Sequence, residues 1–186
     1  MSGVAVYRTE VAPEWIDYNG HLRDAYYSLI VSLACDALMD TLGLDEAYRT
    51  RTRNTLYSLE MHVHFLREVK KTDVVDVSVR ILGTDRKRIH CAFDMRVARY
   101  PDPVATAELM LLHVHQGDEP KAEVFPPQIV EALAKVAAAS AGDVGPAGAS
   151  GSDATVAAAT SGPAHATAAT ATPIPGSRRM ELRSRS

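Results

Sequence analysis

Apolar and polar positions follow two rhythms along this chain. From Ala25 to Leu42 the apolar residues fall at helical spacing, with Tyr26, Leu29, Ile30, Leu33, Ala34, Ala37 and Leu38 on neighbouring turns. They occupy much of the circumference, which predicts a central, largely buried helix. Asp24 is placed as its N-cap and Gly43 as its terminator. Val4 to Val11 predicts a first strand. Four further segments alternate with period two: Thr55–Arg67, Val74–Leu82, Ile89–Val97 and Val104–His115. In the first of these, Tyr57, Leu59, Met61, Val63 and Phe65 are expected on one face. Leu56, Ser58, Glu60, His62 and His64 are expected on the other. Leu44 to Asn54 reads as a short helix or loop, and Pro126 to Val136 as a short last helix.

This order (strand, long helix, four-strand meander) predicts an α+β architecture. A five-stranded antiparallel sheet with one covered face wraps around one long central helix. The long strand after the helix is a natural sheet edge, where a second copy of the chain would satisfy its open backbone groups.

Composition changes the picture at one end. From Ala137 to Ser186 the residues are mainly Ala, Thr, Ser, Gly and Pro, with almost no large apolar side chains. Such a segment cannot offset its ordering entropy, so a folded domain over 1–136 and a disordered tail over 137–186 are expected. The formal net charge is -3, with no basic face beside the arginines of the tail, which argues against a nucleic-acid partner. Met1 to Arg8 has no apolar leader pattern, no apolar run reaches membrane-spanning length, and the two cysteines, Cys35 and Cys91, read as buried free thiols. The expectation is a cytoplasmic protein with no membrane partner.

Candidate chemistry concentrates in Trp15-Ile16-Asp17-Tyr18-Asn19-Gly20-His21. Asn-Gly favours a sharp reversal, because both residues tolerate positive φ. The turn would hold the Asp17 carboxylate beside the start of a helix, where backbone N–H groups are unpaired. A fixed carboxylate next to fixed donors suits acyl transfer. The plain alternative is a carboxylate that only caps the turn. Asn19 and His21 either position water, substrate or Asp17, or serve the turn itself. His62-x-His64 and His113-x-His115 have a spacing that suits zinc only if the two strands bring them together, and no metal is expected. A P-loop and a Ser-centred nucleophile elbow are both missing from the sequence.

The segment Asp17-Tyr18-Asn19-Gly20-His21, with this element order, resembles the hotdog-fold acyl-CoA thioesterases of the 4-hydroxybenzoyl-CoA thioesterase group. Pro13 to Tyr27, Leu59-Glu60-Met61-His62, Arg86-Lys87-Arg88-Ile89-His90 and Glu108 to Val114 are similar, more narrowly, to the betainyl-CoA thioesterases of carnitine breakdown. The resemblance covers about Val4 to Leu133 and leaves out the tail. It implies hydrolysis of a small acyl-CoA, betainyl-CoA first, without a cofactor, by a homodimer or a dimer-based tetramer; the alternatives are another short-chain or aromatic acyl-CoA, or acyl-CoA binding without catalysis. It makes Asp17 the catalytic carboxylate, as nucleophile or as general base, with Asn19 and His21 beside it. Backbone N–H groups at Arg23 and Asp24 become the oxyanion site. For a quaternary ammonium acyl group, Trp15, Tyr18, Tyr26, Tyr27 and Glu60 are the candidate contacts, because such a cation cannot donate hydrogen bonds. Arg86, Lys87 and Arg88, on a turn, are the candidates for the phosphates of CoA.

Overall fold

The computed structural model describes residues 3–141. The elements are β1 (Val4–Glu10), a 3₁₀ turn (Pro13–Trp15), α1 (Asp24–Thr41), α2 (Glu46–Thr52), β2 (Asn54–Phe65), β3 (Val74–Thr84), β4 (Arg88–Arg96), β5 (Ala105–His115), β6 (Lys121–Ala122) and α3 (Pro127–Ala141). All pairings are antiparallel, in the order β1-β3-β4-β5-β2, with the two-residue β6 on β5 as a sixth strand beyond the expected five. The last helix runs five residues past Val136, and Ser140 within it is buried. The rest of the expected tail lies outside the described residues.

Alternation places Val75, Val77 and Val79 of β3, Ile89, Cys91, Phe93 and Met95 of β4, and Ala105, Ala107, Leu109 and Leu111 of β5 on the inner face, all buried. Against them α1 buries Tyr27, Ile30, Val31, Ala34, Cys35, Leu38 and Met39. Each large side chain fully removed from water here contributes about 1.5–3 kcal/mol. Ile129, Leu133 and Val136 of α3 join the same core. Both thiols are buried and unpaired, and burial pushes Cys35 up to about 11 and Cys91 to about 12.

Strand β2 departs from strict alternation. Ser58 pairs with Leu111 and Glu60 with Met110, so Leu59 is an extra residue bulged out of the ladder. The bulge separates two faces that a continuous period would merge. Met61, Val63 and Phe65 lie opposite inward-facing Leu109, Ala107 and Ala105, whereas Tyr57 lies opposite Leu112 on the other side, with Glu60, His62 and His64. The expected grouping of Tyr57 and Leu59 with Met61 therefore does not hold. β2 is an edge strand, and its neighbourhood exposes Leu59, Phe65 and Leu66, each more than half accessible.

His113 on β5 is fully buried beneath Phe125, with ring centroids 4.9 Å apart. Its Nδ1 lies 3.0 Å from the Glu123 carbonyl and must therefore carry the proton. The Tyr48 hydroxyl then donates to Nε2 across 3.0 Å, tying α2 to β5. Burial pushes the His113 imidazole below its ordinary value, against an opposing pull from the Glu123 carbonyl. The unfolded chain thus binds this proton more readily than the folded one. Stability attributable to His113 is fully present above about pH 6.5 and is lost as pH falls from there through the folded value. The thermal midpoint is expected to drop between pH 7 and pH 5, with a shallower drop in His113→Gln; equal slopes in the two proteins contradict this account.

Candidate functional site

The segment between β1 and α1 is a small hairpin built by backbone bonds. Asp17 N–H donates to the His21 carbonyl (2.8 Å) and Gly20 N–H to the Asp17 carbonyl (3.1 Å), closing the turn. Gly20 has φ +82°, which a side chain would strain. Asn19 does not share that conformation: Arg53 is the only positive-φ residue other than glycine among those described. The side-chain contribution of Asn19 is instead a long 3.5 Å contact from its amide nitrogen to Asp17 Oδ2.

Asp17 Oδ1 accepts two backbone N–H groups, from Asn19 at 2.8 Å and from His21 at 3.1 Å. The His21 N–H chiefly, with the Asn19 groups, holds the Asp17 carboxyl below its ordinary value against a smaller upward push from desolvation. The carboxylate is therefore ionised at neutral pH and fixed in direction. Capping and presentation are not alternatives at this residue. Oδ1 serves the turn, while Asp17 also lines a crevice of about 650 Å³ with Tyr18, His21, Arg23, Asp24, Tyr27 and the Phe65–Glu68 segment.

The start of α1 lines the same crevice. Arg23, not Asp24, is the N-cap residue, and its side chain makes no cap bond. Arg23 N–H donates to the Trp15 carbonyl at 2.9 Å, so it is not open to an oxyanion, contrary to expectation. Asp24 is the first helical residue, and its Oδ1 accepts the next N–H, that of Ala25, at 2.8 Å. Tyr26 N–H donates to the Arg23 carbonyl. Among the described residues no acceptor pairs with the Asp24 N–H, which leaves it as the donor at this helix end.

The aromatic candidates divide. Tyr27 is buried and lines the crevice; burial pushes its phenol above the ordinary value. Its ring meets Phe65 edge-on at 5.0 Å. Tyr18 lines the mouth and is 95% exposed. Trp15 and Tyr26 stack on each other at 5.3 Å and are not among the lining residues. Glu60 lies on the outer face of β2, 3.7 Å from His62 Nε2, also away from the crevice.

The wall that the sequence does not reveal is the β2–β3 connection. Leu22 N–H donates to the Val69 carbonyl at 2.7 Å, and His21 bridges to Lys70, so residues 66–73 flank the Asp17 hairpin. Arg99, from the β4–β5 connection, holds that segment. Its Nε reaches both oxygens of Asp73 at 3.0 Å, and its terminal nitrogens reach the Glu68 carbonyl and the Tyr100 hydroxyl, each at 2.5 Å. Burial pushes the Asp73 carboxyl up, but Arg99 and the Lys70 N–H outweigh it and the net shift is downward. Nothing in the local pattern of Arg99-Tyr100 marks this role, because its partners lie 26 and 31 residues away.

Arg86, Lys87 and Arg88 form the β3–β4 turn as expected, but not beside Asp17. Phe65 pairs with Ala105 and Ala105 with Met95, which places the crevice at the Met95 end of β4. The basic turn is at the Arg88 end, roughly 23 Å away at about 3.3 Å per residue. There Arg88 pairs with Asp85 at 2.6 Å, and Lys87 Nζ donates to the Ala122 carbonyl. Asp85 is drawn down to about 2 by the Lys87 N–H, then by Arg88. The two histidine pairs are also apart. His113 lies opposite Leu56, whereas His62 lies opposite Glu108, five residues or roughly 17 Å along the ladder.

The thioesterase-like superfamily model matches residues 11–133. A betainyl-CoA thioesterase from Pseudomonas aeruginosa is 44% identical over 135 residues, 71% of this chain and 84% of that protein. An L-carnitine dehydrogenase/betainyl-CoA thioesterase from Rhizobium meliloti is 34% identical over 128 residues, and the match spans 25% of its length. Among solved structures, a Pseudomonas putida protein shares 38% identity with a TM-score of 0.67, covering 79% of this chain and 93% of its own. A Staphylococcus aureus protein solved in complex with CoA shares 27% identity with a TM-score of 0.68, covering 74% and 87%.

Proposed function

The chain belongs to the thioesterase-like superfamily, and on that footing we propose that it is an acyl-CoA thioesterase whose acyl group is betainyl, the trimethylammonium-bearing acetyl group. The observation that carries this reading is an ionised, oriented carboxylate, Asp17, in the same crevice as the unpaired Asp24 N–H. The name and 44% identity of the Pseudomonas aeruginosa relative support the acyl group.

Hydrolysis needs an oxygen nucleophile at the thioester carbon and a donor for the developing oxyanion. The Asp24 N–H is the donor. Asp17 either attacks directly, giving an anhydride that water then opens, or takes a proton from the attacking water. On either route the carbon–sulfur bond breaks and one water is consumed. The products are the free acid as its carboxylate, the CoA thiol and one proton. Thioesters are activated acyl groups, so this reading includes no cofactor. His21 lines the crevice and lends its N–H to Asp17, and Asn19 works through the turn.

The working unit is a homodimer. Among the described residues β2 is the last strand of the sheet, and it exposes Leu59 and Phe65, the second of which lines the crevice. A two-fold axis across paired β2 edges sets the strands antiparallel. It thereby brings the basic turn of one copy towards the crevice end of the other, where Arg86, Lys87 and Arg88 meet the phosphates of CoA. Light scattering should read twice the 20.1 kDa chain mass or a multiple of that pair; a monomer at working concentration opposes this arrangement. Among the described residues no single helix is long and apolar enough to cross a membrane. Two buried free thiols suit a reducing compartment, and the cytoplasm is the compartment assigned.

Thiol release from a panel of acyl-CoAs tests the reading. Betainyl-CoA should be turned over with a higher kcat/KM than benzoyl-CoA or acetyl-CoA. Equal turnover removes the acyl assignment, and binding of acyl-CoA without any thiol release turns the protein into a binding module.

A further inference from the structure

We infer that the Asp24 side chain selects a cationic acyl group at the reacting carbon itself, as a specificity-determining residue distinct from its own backbone N–H. This rests on the thioesterase reading above and deepens it. Oδ1 of Asp24 accepts the Ala25 N–H at 2.8 Å, which fixes the carboxylate at the helix start next to the unpaired Asp24 N–H. Asp24 also lines the crevice shared with Asp17.

For a neutral acyl-CoA this placement is unfavourable. The thioester oxygen gains negative charge in the transition state, and a fixed carboxylate beside its donor repels that charge. For an acyl group with a quaternary nitrogen one methylene from the carbonyl carbon, the sign reverses. That nitrogen cannot be far from the oxyanion, so the counter-charge that recognises it must be close to the oxyanion donor. The side chain that follows the donor N–H on the same residue satisfies this demand.

Among the charged lining residues, the carboxylates of Asp17, Asp24 and Glu68 outnumber the guanidiniums of Arg23 and Arg67. The Glu68 carboxyl is held below its ordinary value by its own backbone N–H and then by the Tyr100 hydroxyl, so it too is ionised. Arg67 is drawn aside, 3.5 Å from Asp102 and with its guanidinium carbon 5.0 Å from the centre of the Tyr100 ring. A trimethylammonium group offers no N–H, so only Coulomb attraction and aromatic faces can hold it; Tyr18, Tyr27 and Phe65 supply the faces.

The test compares betainyl-CoA with 3,3-dimethylbutyryl-CoA, in which carbon replaces the quaternary nitrogen at nearly the same shape. Asp24→Asn keeps the backbone N–H and an oxygen for the Ala25 N–H. The ratio of kcat/KM, charged over neutral, should fall on the order of 10- to 100-fold in Asp24→Asn. Part of that fall should come from a rise on the neutral substrate as the repulsion is removed. Asp24→Glu, which keeps the charge, should retain more of the ratio. A ratio equal to wild type in a folded Asp24→Asn protein, whether both rates drop or neither does, overturns the inference. Wild type that releases no thiol from betainyl-CoA overturns the functional reading itself, which separates the two failures.

Discussion

Asp17→Asn is expected to lower kcat by roughly 10²–10⁴-fold, the range that a positioned proton-transfer group supplies, and by more if Asp17 is the nucleophile. The variant is clean, because an amide oxygen can still accept the Asn19 and His21 N–H groups that Oδ1 accepts in the wild type. The turn, the crevice and CoA binding should survive, so acyl-CoA affinity by calorimetry should stay near wild type while thiol release collapses. The environment of Asp17 adds a pH expectation. The carboxyl is held below its ordinary value mainly by the His21 N–H, so it stays ionised as pH falls from 8 to 5. Its contribution to kcat/KM should be flat over that window. The same hydrogen bonds weaken the carboxylate as a base and as a nucleophile alike. Quenching with hydroxylamine distinguishes the routes, because attack on the aspartyl carbonyl of an anhydride releases the free acid and leaves a hydroxamate on Asp17 itself, read by the mass of its peptide. Substantial thiol release by folded Asp17→Asn protein would remove Asp17 from the chemistry.

The legible and illegible parts of this molecule divide on range. Helix α1 and the four long strands after it are visible in the sequence because the period of side-chain burial is a local property of the backbone. The Asp17 turn is visible because Asn-Gly chemistry is local as well. Helix α1 begins one residue earlier than Ala25, and that shift decides which N–H is open: Arg23 is tied to Trp15 across the hairpin, a bond no spacing predicts. The bulge at Leu59 was hidden because one extra residue leaves an apolar alternation looking intact while exchanging its faces. Trp15 and Tyr26 are candidate contacts by their nearness to Asp17 in sequence, yet the two rings stack on each other. The opposite wall, Phe65–Glu68 with Arg99 behind it, is assembled across sheet connections and carries no motif.

That wall should be as consequential for turnover as it is silent in sequence. Arg99→Ala removes the partner of Asp73, whose side chain is 10% exposed, and frees the Glu68 carbonyl and the Tyr100 hydroxyl. Breaking a fully buried ion pair from one side costs 3–5 kcal/mol; with Arg99 29% exposed, solvent screening brings the expected loss to about 2 kcal/mol. Stability is the smaller consequence. Residues 66–73 meet the Asp17 hairpin through the Leu22–Val69 bond and the His21–Lys70 bridge. Loosening them lets the carboxylate drift relative to the Asp24 N–H, and a displacement near 1 Å costs about 10²-fold in rate. In protein still folded at the assay temperature, kcat should therefore fall about 10- to 100-fold while KM changes little, with Arg99→Lys recovering part of the loss. A purely structural role would lower the thermal midpoint and leave kcat of the folded fraction intact, and that result would detach Arg99 from the site.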